Sequence, residues 1–319
     1  MNKQRVLSLL GLILVVLLWG IAPVISKYVF DNNYCSPALL VGIRGLLSII
    51  VMLVFILITK GFKDVKKSYW ICIPAGLVLG AAYLFQFIGL ETTTPAKNTF
   101  LETFSCIAVP VCMFIFIKEK PSWMTILSAG ICLLGAFILC GNGWDFSAMF
   151  TKPTLGDILS AIGGIFFGID IAITKVFAKD KNPFVFVFFQ LIILTIMSFA
   201  YAFPFEKGLT FSWNYINILI VIFLGVFCTA VCWVLRTVCI KRVSAVTCAV
   251  IMPMAAVLAT IFSIAFRIEE FSWNVIAGGL IITGAIIISG IYDAKMENKQ
   301  QETPVIEEEK KDEENPCNE

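Results

Sequence analysis

Uncharged apolar runs dominate this chain, and each is about as long as a bilayer is thick. A helix needs about 20 apolar residues to cross a hydrocarbon core of about 30 Å. Ten runs meet that need, over residues 7–30, 37–58, 69–91, 95–117, 123–141, 155–178, 183–204, 214–238, 244–266 and 273–292. Isolated charges and Gly, Pro and Asn residues separate them, and the connections are short. The first run follows Lys3 and Arg5 as a signal peptide would, yet it is too long and ends in no small-x-small cleavage site, so it is expected to remain as a helix. The pattern predicts an all-α integral membrane protein with ten transmembrane helices.

The basic residues between the runs orient them, because cytoplasmic loops carry an excess of Lys and Arg. With the N-terminus inside, the cytoplasmic side receives Lys3, Arg5, Lys60, Lys63, Lys66, Lys67, Lys118, Lys120, Lys175, Lys179, Lys181, Lys241 and Arg242. The other side receives Lys97, Lys152, Lys207 and Arg267, so the bias is thirteen to four. It holds across every pair of loops, which also supports the count of ten. Both ends are therefore expected in the cytoplasm.

Composition sharpens this picture mainly by exclusion. Of 319 residues, 59% are AVILMFWYC and 14% are charged, with a mean hydropathy of +0.91, whereas a soluble chain is about 45–50% apolar and about 25% charged. There is no histidine, which removes Ser-His-Asp catalysis, His-ligated metals and histidine proton relays. The eleven cysteines form no CxxC pair and those within the runs read as small hydrophobes, so no metal or cofactor is expected. No GxxxxGK[ST] loop is present to support ATP-driven transport. Residues 293–319 hold four Lys against ten Asp and Glu, net −6, and should form a disordered acidic tail. The rest of the chain carries about +8 in separate clusters, which is no nucleic-acid footprint.

A repeat runs through the chain. Gly20-Ile-Ala-Pro-Val-Ile-Ser-Lys27 aligns without a gap on Gly168-Ile-Asp-Ile-Ala-Ile-Thr-Lys175, each after an aromatic residue, Trp19 or Phe167. Pro37 with Arg44 matches Pro183 with Gln190, Glu119-Lys-Pro-Ser-Trp123 matches Glu269-Glu-Phe-Ser-Trp273, and Gly141 matches Gly290. The offset stays between 146 and 150. Five helices per copy is an odd number, so the second copy must enter the membrane from the opposite face. The expected organisation is a first repeat at 1–141, an external linker at 142–154, a second repeat at 155–292 and the tail at 293–319. Inverted repeats of this kind build many secondary transporters, with the substrate site between the halves near mid-membrane.

The residues that carry a family likeness are Trp19-Gly20 with Lys27, Ile43-Arg44-Gly45, Gly89-Leu-Glu-Thr, Thr94-Pro-Ala-Lys, Val109-Pro110, Lys118-Glu-Lys-Pro and the Gly130/Gly135 spacing. Gly156-Asp157, Arg242-Val-Ser-Ala245, Pro253 and Gly278-Gly279 follow in the second half. With these the chain resembles the EamA type of the drug/metabolite transporter superfamily over residues 7–292. The resemblance implies two EamA repeats of five helices, cytoplasmic ends and export or uptake of small metabolites such as amino acids. It also implies a place in a bacterial cytoplasmic membrane.

Polar groups deep in a span are costly, about 2.5–3.5 kcal/mol for a charge at the centre, so each needs a reason. Asp170 lies near the midplane of the sixth run, while Arg44 and Glu102 lie about 10 Å below the outer face at 1.5 Å per residue. Asn98, Glu102 and Ser105 form a polar stripe at i, i+4, i+7 spacing and should line a cavity. Two readings stay open: a buried Arg44–Glu102 or Arg44–Asp170 ion pair that fixes packing, or a set of ligands for a charged or zwitterionic solute. In the second, Arg44 holds a carboxylate, and Glu102 or Asp170 holds an amine or a proton. Gln86, Gln190, Trp19 and Tyr83 complete the candidate set, with Trp233 as a further aromatic. Arg236 is expected to snorkel from the cytoplasmic end of the eighth run. The expected partners are a small-molecule solute, the lipid bilayer and, where a carboxylate couples transport, protons. The alternative, a membrane enzyme acting on a lipid-linked substrate, would need an acidic or His cluster beside an exposed loop, and the sequence offers none.

Overall fold

A computed structural model describes residues 3–59, 70–118, 120, 122–140, 154–206, 209–242, 251–252 and 254–270, and within the last run 273–274, 277–282, 284–285, 288 and 292. The expected linker, apart from Thr154, and the acidic tail lie outside the described residues. The helices are α1 (Lys3–Asp31), α2 (Pro37–Ile58), α3 (Cys72–Thr92), α4 (Pro95–Leu101), α5 (Ser105–Ile117) and α6 (Trp123–Cys140). After residue 154 come α7 (Leu155–Phe177), α8 (Pro183–Phe205), α9 (Tyr215–Gly225), α10 (Cys232–Arg242) and α11 (Met254–Ala265). A 3-10 turn at Glu102–Phe104 joins α4 to α5, and a π-helical stretch at Val226–Val231 joins α9 to α10.

Local chemistry sets the helix starts. Pro opens α2, α4 and α8, where its missing N–H is no loss. Thr94 accepts from the Lys97 N–H, Asn214 accepts from Asn217, and Thr154 with Asp157 closes a capping box on α7. Two of these helix starts, those of α2 and α4, also borrow a carboxylate from elsewhere. Glu206, just past α8, accepts from the Ala38 and Leu39 N–H groups at 2.6 and 3.1 Å. Glu269 accepts from the Ala96 N–H at 3.1 Å, at the positive end of α4.

Among the described residues seven spans are long and apolar enough to cross a membrane: Leu7–Asp31, Pro37–Ile58, Cys72–Thr92, Pro95–Ile117, Leu155–Phe177, Pro183–Phe205 and Tyr215–Arg242. Shorter apolar helices lie at Ile126–Gly135 and Met254–Ala265, within the fifth and ninth expected runs. Much of the tenth run lies outside the described residues. The helices wear their apolar side chains outward: Leu10, Leu17, Ile50, Val54, Leu57 and Ile196 are exposed, while Arg44, Asn98, Asp170, Gln190 and Arg236 are buried. Water would reverse that arrangement; a hydrocarbon solvent explains it.

The most extensive helix pairings all join an element before residue 141 to one after 154: α3 with α7 and α8, α2 with α8, α1 with α11 and α10, and α5 with α7. Glycine permits the closest of these. A Cβ on Gly20 would stand 2.6 Å from the Leu258 Cβ, and one on Gly168 would stand 2.6 Å from the Ala108 Cβ. Where α3 crosses α7, a Cβ on Gly156 would lie 2.5 Å from the Gly89 carbonyl oxygen. The paired lysines of the repeat also act alike. Lys27 Nζ donates to the Leu90 and Glu91 carbonyls at the end of α3, and Lys175 Nζ to the Ile240 carbonyl near the end of α10. A cation is favoured at a helix C-terminus.

The Glu269 cap gives a pH-dependent prediction. Burial raises its carboxyl above the usual carboxylate range, although the Ala96 N–H and the Thr94 hydroxyl pull it back. A raised folded value contributes stability at low pH that is lost as pH rises through it. The Tm of the wild type should therefore fall as pH climbs past the ordinary carboxylate range, relative to Glu269→Gln. Glu269→Ala should cost about 1 kcal/mol through the lost cap. Thermal unfolding of the three proteins across a pH series is the check.

Candidate functional site

The inner faces of both halves enclose one chamber. Together with the open space at its mouth it takes in about 720 Å³. Its apolar wall is aromatic. Trp19 of α1 lies 5.2 Å from Trp233 of α10 between ring centroids, and Phe167 of α7 lies 5.6 Å from Tyr83 of α3. Both indoles are anchored: Trp233 Nε1 donates to the Tyr83 hydroxyl at 2.5 Å, and Trp19 Nε1 to the Cys228 carbonyl at 2.9 Å. Buried Tyr and Trp need such partners, and rings held this way keep a fixed surface.

Arg44 reaches the chamber from α2 with only 2% of its surface exposed. Its Nε donates to Thr229 Oγ1 at 2.9 Å, and its guanidinium lies 5.3 and 5.0 Å from the Tyr83 and Phe87 ring centres. Cation–π contact offsets part of its burial cost. No carboxylate among the described residues pairs with it, and its Nη1 has no hydrogen-bond partner. Glu102 enters at the 3-10 turn between α4 and α5, half-buried at the chamber wall, where Gln86 Nε2 donates to its Oε1. The turn interrupts the α-helical ladder just where the carboxylate leaves it.

A second charged group lies beside the chamber. Asp170 of α7 accepts from Gln190 Nε2 of α8 at 2.9 Å and meets Arg236 Nη1 of α10 at 2.9 Å. All three are almost wholly buried, and the Arg236 guanidinium also lies 4.5 Å from the Trp233 ring centre. Two expectations change here. The buried ion pair is Arg236–Asp170, not Arg44–Glu102 or Arg44–Asp170. Arg236 does not snorkel, because α10 continues to Arg242, well beyond the expected end of the run, and a carboxylate waits inside.

Five of the eight candidate residues line the chamber: Trp19, Arg44, Tyr83, Gln86 and Glu102. Asp170, Gln190 and Asn98 do not. The Asn98 amide donates instead to the Gln86 carbonyl and to Ser160 Oγ, stapling α4 to α3 and α7. Among the described residues no group of His, Cys, Asp and Glu is placed to hold a metal ion. The lining residues not anticipated include Phe167, Ile171, Arg236, Met252 and Ala255.

The repeat itself would have found them. An offset of 148 takes the lining residues Trp19 and Pro23 to Phe167 and Ile171. An offset of 150 takes Tyr83, Gln86, Glu102 and Ser105 to Trp233, Arg236, Met252 and Ala255. Among the described residues, every lining residue from the second half is thus the repeat partner of one from the first. The close glycines obey the same offsets, since Gly20 meets Leu258 as Gly168 meets Ala108.

Comparison with known proteins places this architecture. The model of the EamA-like transporter family matches residues 6–141 and 154–291. A protein of Archaeoglobus fulgidus described as an uncharacterized transporter is 27% identical over 286 residues, covering 89% of this chain and 86% of that one. The Bacillus subtilis protein YoaV, also described as an uncharacterized transporter, is 22% identical over 88% of this chain and 96% of its own length. A solved crystal structure at 16% identity superposes with a TM-score of 0.69 over 91% of this chain and 98% of that chain, a likeness of fold.

Proposed function

The chain belongs to the EamA-like transporter family, and from that premise we propose that it is a secondary carrier that moves a small metabolite by alternating access. One observation supports the reading above all others: the chamber's lining from one half repeats in the other. A cavity on the symmetry element of a duplicated bundle can be closed from either end by similar motions of similar parts. The odd number of five spans per copy favours copies that are inverted, in ten helices with repeats at 1–141 and 155–292, and the cross-half pairings fit a two-fold relation between them. The third helix of one copy packs on the first of the other, as α3 on α7 and α10 on α1. The thirteen-to-four bias of basic residues favours cytoplasmic ends, in a bacterial cytoplasmic membrane.

The solute class that suits the chamber is an amino acid or related metabolite, with an apolar portion against the aromatic wall and polar groups toward Arg44 and Glu102. Glu102 is the group we assign to proton coupling. It is an ionisable side chain at the chamber wall with no basic partner among the described residues, so it can change charge without breaking an ion pair.

Proteoliposomes loaded with unlabelled amino acids and offered labelled ones test the reading by counterflow. Saturable exchange above that of protein-free liposomes is expected, together with accumulation that follows an imposed pH gradient. Glu102→Gln should keep counterflow and lose the response to the gradient. A wild type no better than empty liposomes across the twenty amino acids would refute the solute class. A Glu102→Gln protein that follows the gradient as the wild type does would remove Glu102 from coupling.

A further inference from the structure

The two halves answer the same positional question differently. In the second, a guanidinium from α10 (Arg236) and an amide from α8 (Gln190) converge on the carboxylate of Asp170 in α7. The repeat partners of these residues are Gln86 in α3, Arg44 in α2 and Ala22 in α1. The first half therefore also supplies one guanidinium and one amide, exchanged between helices. Where the carboxylate should stand it has a methyl group.

Ala22, Arg44 and Gln86 all line the chamber. Arg44 is buried, lacks a carboxylate among the described residues and keeps an unpartnered Nη1. A buried cation of this kind costs free energy until an anion answers it. Gln86 spends one amide N–H on Glu102 and has a second to offer.

Resting on the carrier reading above, we infer that the solute's carboxylate binds over Ala22, between Arg44 and Gln86, at the place that Asp170 fills in the other half. The second half thus carries a permanent internal copy of the bound anion. The first half leaves the same position open to the chamber, with the Ala22 methyl standing where the other half has a carboxylate. A planar oxyanion matches the guanidinium fork, and the aromatic wall would receive the rest of the molecule.

The test installs the missing carboxylate. Ala22→Asp, Arg44→Gln and the double variant are purified as full chains, and thermal unfolding is followed. In the Arg44 background, Ala22→Asp should give a Tm higher by about 3 °C or more than the same change gives in the Arg44→Gln background. Equal effects in both backgrounds, including failure of both aspartate proteins to fold, overturn the subsite. Ala22→Asn separates charge from size and should show no such dependence on Arg44.

A ligand arm uses matched probes: phenylalanine against phenethylamine, leucine against isoamylamine, and benzoate against benzamide. Carboxylate members should raise the wild-type Tm and leave that of Ala22→Asp unmoved. Wild-type shifts equal for the carboxylate and its partner, or undiminished in Ala22→Asp, overturn the proposal while leaving a carrier of some other solute intact. If no probe moves the wild type, the coupling between positions 22 and 44 still decides the matter, whatever counterflow says of the carrier.

Discussion

Asp170→Asn should cost the folded protein about 3–5 kcal/mol, because it leaves Arg236 as a charge inside the bundle with no counter-charge. The substitution is nearly isosteric, and an asparagine oxygen can still accept from Gln190, so the loss reads the ion pair and not a cavity. Both partners are within 2% of full burial, so solvent screens them little. The lowered Tm and a reduced yield of monodisperse protein are the measurements. Asp170→Leu combined with Arg236→Met should recover most of the loss, since a buried pair replaced whole by apolar groups is often neutral. An Asp170→Asn protein as stable as the wild type would show that the pair carries no such weight.

Gly156→Ala is expected to do comparable damage from the outside edge of the same helix. Its new Cβ would stand 2.5 Å from the Gly89 carbonyl oxygen and closer still to Thr92 Oγ1. The hydroxyl can rotate away, but the carbonyl belongs to α3 and cannot move without parting α3 from α7. Overpacking costs about 1–3 kcal/mol, and the upper end applies where backbone is struck. Gly130→Ala is the control: its Cβ would meet nothing within 4 Å, and alanine is the better helix former by about 1 kcal/mol. Thermal stability should fall for Gly156→Ala and hold or rise for Gly130→Ala. A reversed order would mean that the α3–α7 crossing is looser than described.

Much of this was legible in the sequence for a simple reason. A lipid solvent demands long apolar runs, so the seven spans announce themselves, and ionisable groups inside them stand out by their cost. Arg44 and Glu102 are legible that way, Gln86 as a polar amide in an apolar run, and Trp19 and Tyr83 as aromatics beside them. What the sequence hid was partner choice. Asp170 pairs with Arg236, 66 residues away in the chain, because their two helices present the same level and face, and apolar periodicity gives neither. The depth of Arg236 is hidden too, because the apolar run fades near residue 238 while the helix continues to Arg242. The carboxylate caps of Glu206 and Glu269 were hidden likewise, since a cap borrowed from a distant segment leaves no local signature. The repeat offsets held the missing information about the chamber's second wall, provided they were applied to the candidates residue by residue.

The π-helical stretch at Val226–Val231 has no counterpart in the other copy, where the matching residues 76–81 are ordinary α-helix. Thr229 sits in that wide turn, donating to the Leu224 carbonyl five residues back while accepting from Arg44. Two true copies could trade places without changing the energy of the whole. The widened turn adds a backbone difference to those of sequence and takes the copies further from that equality, so a carrier of this build would rest facing one side of the membrane more often than the other. Its half-saturation concentrations on the two sides would then differ, with the maximal rates offsetting them so that no net flow arises at equilibrium.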